Sequence, residues 1–420
     1  MWKYLLMMVL TAVAQAETWS NFRGPTADGF SKATGIPNEW SETKNVTWKT
    51  PIHGKGWSTP LVSETQVWVT TASEDGKTMS ALCLSRATGK VLFDAVLFKN
   101  DTPEPLGNPV NGYASPTGVL GQNHVVLHWG SYGTCCLNTG NFKLEWERRD
   151  LPCRHYRGPG SSVISYKNLL ILTMDGVDVQ YLVALDKETG KTVWKTDRTT
   201  NWNDLQPDGK PRMEGDERKA YTTPTLVTFS SGAEHLISTG SKATLAYDPA
   251  TGKELWRITY DGFSNASSPV YGNGVVYLNT GYGKANVLAV PITAESEGDL
   301  TSSILWTQTK RMPLRCSPLF IKDHLFTLSD DGHASWLDLK SGEPVWCERL
   351  PDLFSGSPIV VEGRILCCGE NGNCLWLDPK SEFKILAQSK LDDGMLASPV
   401  AVDHELYLRT RTHLYRIEAK

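Results

Sequence analysis

The chain has 420 residues and a formal charge of −4, so it lacks the basic footprint expected of a nucleic-acid-binding protein. Its 36 glycines, 15 tryptophans and 40% hydrophobic residues fit one large β-rich repeat domain better than two or three unrelated ones. The nine cysteines are an odd number, so at least one stands outside any intramolecular bridge.

The N-terminus comes first. Lys3 precedes an apolar run from Tyr4 to Val13 that ends in Ala14-Gln15-Ala16. A charged start, an apolar centre and an A-x-A end predict a secretory signal peptide over 1–16. No cysteine sits at the cleavage point before Glu17, which argues against a lipid anchor. No later apolar run is long enough for a transmembrane helix. The mature chain is therefore expected in the periplasm or outside the cell. Residues 17–44 read as an N-terminal extended segment, and 45–420 as the repeat domain.

That domain carries a marker eight times: STPLV (58–62), SPTGV (115–119), SSVIS (161–165), TPTLV (223–227), SPVYG (268–272), SPLFI (317–321), SPIVV (357–361) and SPVAV (398–402). A short β-patterned run follows each, such as QVWVTT or LLILTM. A second frame, D-x-x-T-G or D-x-x-S-G followed by a tryptophan, closes the units. It is clearest at Asp186, Gly190 and Trp194, at Asp248, Gly252 and Trp256, and at Asp338, Gly342 and Trp346. The Asp ends one strand, the glycine supplies a positive φ in a tight turn, and the tryptophan lies in the next strand. Each unit thus reads as four strands, with the period of a propeller blade. The eighth unit, from Ser398, stops after three strands, while NVTWKT (45–50) is a tryptophan strand with no unit before it. The expected fold is all-β, an eight-bladed β-propeller closed by the N-terminal strand pairing into the last blade. Closure removes exposed sheet edges. A sandwich or an open solenoid leaves Trp48 unexplained. The repeated tryptophans are expected to fill the wedges between blades.

The frame seen in ALDKETGKTVW and AYDPATGKELW resembles the pyrroloquinoline quinone propeller repeat. That repeat occurs in quinoprotein dehydrogenases and in the cofactor-free outer-membrane assembly lipoprotein. NFRGPTADGFS (21–31), GSYGTCCLN (130–138), RGPGSSVIS (157–165) and LDDGMLASPV (391–400) are similar to the exported single-propeller proteins of planctomycete and verrucomicrobial type. In quinoprotein alcohol dehydrogenases a disulfide between adjacent cysteines packs against the cofactor. The resemblance therefore draws attention to Cys135-Cys136 and Cys367-Cys368. Both pairs lie in strand-like runs, where successive side chains point to opposite faces, so small buried residues are the expected reading. No calcium-ligand set or catalytic Asp of the dehydrogenases is legible. No cofactor is assigned from the residues, and pyrroloquinoline quinone with Ca is what the resemblance alone would supply.

In an up-and-down blade the inter-blade loops share a face with the hairpins joining strands two and three. The long insertions 99–112, 150–159 and 199–220 are inter-blade, which makes this the candidate binding face. Residues three before the proline, or just upstream, are expected to rim the channel: Trp57, Tyr113, Tyr156 with Arg157, Tyr221 and Arg315. Arg154, His155, Asp175, Asp178, Lys242, Tyr282, Lys284, Asp330 and Arg411 join them from neighbouring loops. Aromatics among Arg and Lys suit a sugar, a quinone or an anion. No nucleophile elbow, H-E-x-x-H, phosphate loop, G-x-G-x-x-G or haem motif occurs, and the nine histidines show no metal-ligand spacing. The expected protein is an exported non-catalytic binding or assembly scaffold, a monomer taking a protein, glycan or small-molecule ligand at this face. A pyrroloquinoline-quinone-dependent oxidoreductase and a carbohydrate-active enzyme are the alternatives.

Overall fold

The second and third strands of each unit carry near-continuous apolar runs, such as QVWVTTA at Gln66–Ala72 and QYLVALD at Gln180–Asp186. Runs of this kind need cover on both faces, and neighbouring sheets supply it. The fourth strands instead expose most side chains and bury one aromatic, as TVWKTD does at Thr192–Asp197.

The computed structural model describes residues 17–108, 110–283 and 285–420. It resolves these patterns into eight four-stranded antiparallel blades arranged as a β-propeller. The expected leader over 1–16 and Lys284 lie outside the described residues. Blades 1 to 7 are built from consecutive units. Blade 8 takes Val400–Val402, Glu405–Arg409 and His413–Ile417, and its outer strand is Val46–Pro51, which pairs antiparallel with His413–Ile417 so that Trp48 stands opposite Arg416. The N-terminal tryptophan strand therefore closes the ring. Arg86, from the turn of blade 1, seals the seam through Asp403 Oδ2 and Glu405 Oε2, each at 2.6 Å. Among the described residues no helix is long and apolar enough to cross a membrane.

All but one of the repeated tryptophans dock on the following blade. The indole N–H of Trp48 donates to Arg86 O at 3.0 Å, that of Trp146 to Lys187 O at 2.9 Å, and that of Trp346 to Lys380 O at 2.8 Å. Trp256 departs from this and bonds His235 Nδ1 in its own blade at 3.1 Å. The next blade has no D-x-x-T-G turn to receive it, just as Trp306 has no such turn before it in the sequence.

The segment after Glu17 crosses the axis of the ring. Trp19 pairs with Val62 of blade 1, Ser20 O accepts from Leu120 N of blade 2, and Phe30–Ser31 runs parallel to Ile359–Val361 of blade 7. Arg23 donates to Ser317 O and Pro318 O of blade 6. Inner strand edges, which would otherwise stay unpaired, are thereby covered.

All nine cysteines are free thiols. Cys135 packs into the apolar cluster shared with blade 1, and its neighbour Cys136 into that shared with blade 3. Cys367 and Cys368 divide in the same way. Strand alternation, not a bond between neighbours, sets their geometry.

Candidate functional site

The Ser/Thr of the repeated marker forms a belt around the channel. Thr59 N–H donates to Thr117 Oγ1 at 2.9 Å, Thr117 N–H to Ser162 Oγ at 3.0 Å, and Ser162 N–H to Thr223 Oγ1 at 2.9 Å. Across the ring, Ser268, Ser317 and Ser357 N–H donate at 3.0 Å to Ser317, Ser357 and Ser398 Oγ. Six of the hydroxyls thus tie their blade to the previous one, while Ser268 Oγ has no partner among the described residues. Ser357→Ala is expected to cost about 1–3 kcal/mol by stranding the Ser317 N–H. A chemical-denaturation midpoint checks this, with exposed Ser302→Ala as the reference.

Two residues before each belt position lies a rim residue: Trp57, Ser115, Gly160, Tyr221, Ala266, Arg315, Ser355 and Leu396. All eight line one cavity of about 680 Å³ at the mouth of the channel. Phe22, from the segment that crosses the axis, also lines it. Phe263 and Tyr282 meet edge to face at 5.5 Å and close one side. The insertion 199–220 contributes Met213 and Asp216.

The charges in this cavity are paired within it. Arg157 holds Asp216 through two bonds, at 3.0 and 2.7 Å. Arg315 binds Asp330 Oδ1 at 3.0 Å and Glu370 Oε1 at 3.1 Å. Burial works against the Arg315 cation, but Asp330 and Glu370 outweigh it and hold the proton more firmly than usual. Burial pushes Asp330 up against the pull of Arg315. The lining therefore carries Arg157 and Arg315 against Asp216 and Asp330, a formal balance of zero.

Of the residues expected at the site, the structure brings together Trp57, Arg157, Tyr221, Tyr282, Arg315 and Asp330. Tyr113 is elsewhere. It is buried between blades 1 and 2 against Tyr132, with its hydroxyl donating to Glu104 O. Arg154 pairs with Glu104, and its backbone N–H donates to Asp178 Oδ1. Arg154 lines a second, smaller cavity of about 370 Å³ that shares Arg157, Met213 and Asp216 with the first; Asp178 does not. Asp175 is locked to Arg198, both buried in the body of the ring. Lys242 lies over the Phe263 ring, and Arg411 donates to Glu370 O behind the rim.

His155 is also internal. Ser131 N–H donates to its Nε2 at 3.0 Å, and Lys219 Nζ lies 3.2 Å from its Nδ1. Burial, then Lys219 and His128, hold His155 well below the usual histidine range. Burial alone lowers His128 to about 3. Both rings are neutral when folded, whereas the unfolded chain takes up protons below about pH 6.5. Their contribution is present above that pH and is lost as pH falls, by up to ~1.4 kcal/mol per unit for each ring. Denaturation midpoints at neutral and mildly acid pH should fall accordingly, and His128→Asn should reduce the slope.

Residues 178–294 match the family described as outer membrane protein assembly factor BamB. BamB of Vibrio cholerae is 22% identical over 236 residues, which are 46% of this chain and 56% of that protein. The chain thus spans little more than half the length of this relative. The structure of BamB from Moraxella catarrhalis has 12% identity and a TM-score of 0.58, covering 89% of this chain and 99% of that one. A europium-containing methanol dehydrogenase has 11% identity and a TM-score of 0.69, covering 96% and 98%. The shared architecture is that of a four-stranded-blade propeller. The match over 178–294 and the shared propeller architecture both agree with the repeat resemblance read from the sequence.

Proposed function

We propose that this protein is an extracytoplasmic, non-catalytic binding or assembly scaffold that takes its ligand or partner at the inter-blade-loop face. The observation that carries the reading is the rim cavity. It stands on a hydrogen-bonded belt, is walled by aromatics, and has its charged groups committed to one another. A general acid or base needs a carboxylate free to exchange a proton, whereas Asp216 and Asp330 are both held by arginine. The BamB relatives, assembly factors by name, are compatible with a scaffold.

The quinone reading fits these residues poorly. Pyrroloquinoline quinone is a tricarboxylate and calls for unpaired cations, while Arg157 and Arg315 already serve carboxylates. Among the described residues no three His, Cys, Asp or Glu side chains converge as a metal-ligand set. Titration of the purified protein with pyrroloquinoline quinone and Ca²⁺, followed by absorbance and by dye reduction with alcohols and sugars, is expected to show neither saturation nor turnover. Saturable binding with dye turnover would overturn the scaffold reading.

A further inference from the structure

We infer that the rim cavity takes an uncharged saccharide, a proposal that rests on the reading of this face as a binding site. Three independent features of the cavity converge on that ligand.

The first is its floor. Thr117, Ser162, Thr223, Ser357 and Ser398 all line the cavity and are all more than nine-tenths buried. Each hydroxyl oxygen already accepts a backbone N–H from the neighbouring blade. A hydroxyl has one proton to give besides its lone pairs, and among the described residues none of these five hydroxyls donates to a protein acceptor. The belt therefore places two arcs of O–H donors at the channel mouth, from blades 2 to 4 and from blades 7 and 8. Buried donors of this kind favour a ligand rich in acceptor oxygens.

The second is its wall. Trp57, Tyr221, Phe263 and Tyr282 line the cavity with aromatic rings; lysines lie over the first three, while Tyr282 is 59% exposed. The C–H face of a pyranose ring covers an aromatic surface while its hydroxyls remain free to bond at the edge. A sugar thus uses both floor and wall at once.

The third is charge. With Arg157 on Asp216 and Arg315 shared by Asp330 and Glu370, an anionic ligand would have to break an existing pair before gaining its own. Breaking such a part-buried pair leaves a carboxylate short of its partner, a cost an uncharged ligand avoids. An extended peptide is less well served, because the inner strand edges of blades 1 and 7 are taken by Trp19 and by Phe30–Ser31. The cavity volume, about 680 Å³, falls within the range that small ligands fill.

The test is calorimetric titration of the mature protein with cellotetraose, maltotetraose, mannotetraose and chitotetraose. Tetragalacturonate serves as the anionic probe, and reduced carboxymethylated lactalbumin as an unfolded polypeptide. At least one neutral tetrasaccharide should bind, and binding should weaken at least tenfold in Trp57→Ala and in Tyr282→Ala. Tyr282→Ala removes an exposed ring, so its fold should be intact by circular dichroism. Binding of tetragalacturonate alone, or neutral binding unchanged in both variants, overturns the inference. Tyr282-dependent binding of the polypeptide without any saccharide overturns it too, but leaves the scaffold reading standing. If neither saccharide nor polypeptide binds, both fall.

Discussion

Arg198→Ala is expected to destabilise the protein by about 3–5 kcal/mol, the cost of leaving one member of a buried ion pair alone. Arg198 Nε and Nη2 meet Asp175 at 2.6 and 2.8 Å, and the side chains of both are 1% exposed. The guanidinium also donates to Ser238 O and Oγ in the next blade. The pair therefore joins blade 3 to blade 4 as well as satisfying itself. Its removal strands a carboxylate with no route to water. Arg198→Met combined with Asp175→Leu should recover much of the loss, since apolar replacement of a whole buried pair is often neutral. Urea denaturation of the single and double variants measures both effects. Equal midpoints for Arg198→Ala and the wild type would contradict this assignment.

Trp194→Ala should cost a similar amount, about 3–5 kcal/mol. The ring is 8% exposed, its N–H donates to Pro249 O at 3.2 Å, and it lies flat against Gly252 of the next blade. Gly252 has φ +72°, and a Cβ there would come within 2.5 Å of Trp194 Cε3. Gly252→Ala therefore meets two penalties, a left-handed backbone and a collision with the indole. The two substitutions should be strongly non-additive, because each removes the contact the other depends on. A double-mutant cycle by urea denaturation reads this directly. Additive losses would mean that the turn and the tryptophan act separately.

The fold was largely legible because its causes are local and repeated. Ser-Pro starts, D-x-x-T-G turns and single buried tryptophans recur at blade spacing, and the unpaired NVTWKT strand foretold the closure seen at Val46–Pro51. The site was legible only where the same periodicity reached it. Counting back from the proline finds Trp57, Tyr221 and Arg315. In blade 2, however, the belt residue is Thr117, not Ser115 of the Ser-Pro pair, so the count lands on buried Tyr113 and misses the true rim residue Ser115. Asp175 and His155 were placed at the mouth by their loops, but their partners Arg198, Lys219 and Ser131 come from distant parts of the chain. A pattern of turns cannot reveal which way such a side chain faces. Phe22, Met213 and Asp216 belong to segments that occur once, so no copy existed against which to read them.

The most direct test of the central claim is the fate of a bound ligand. The purified protein and its Trp57→Ala/Tyr282→Ala variant would be titrated with the neutral tetrasaccharides, with the mixtures then held for a day and resolved by mass spectrometry. A saccharide should bind the wild type, bind the double variant at least tenfold more weakly, and be recovered unchanged. Cleaved or oxidised product, or undiminished binding to the variant, would contradict it.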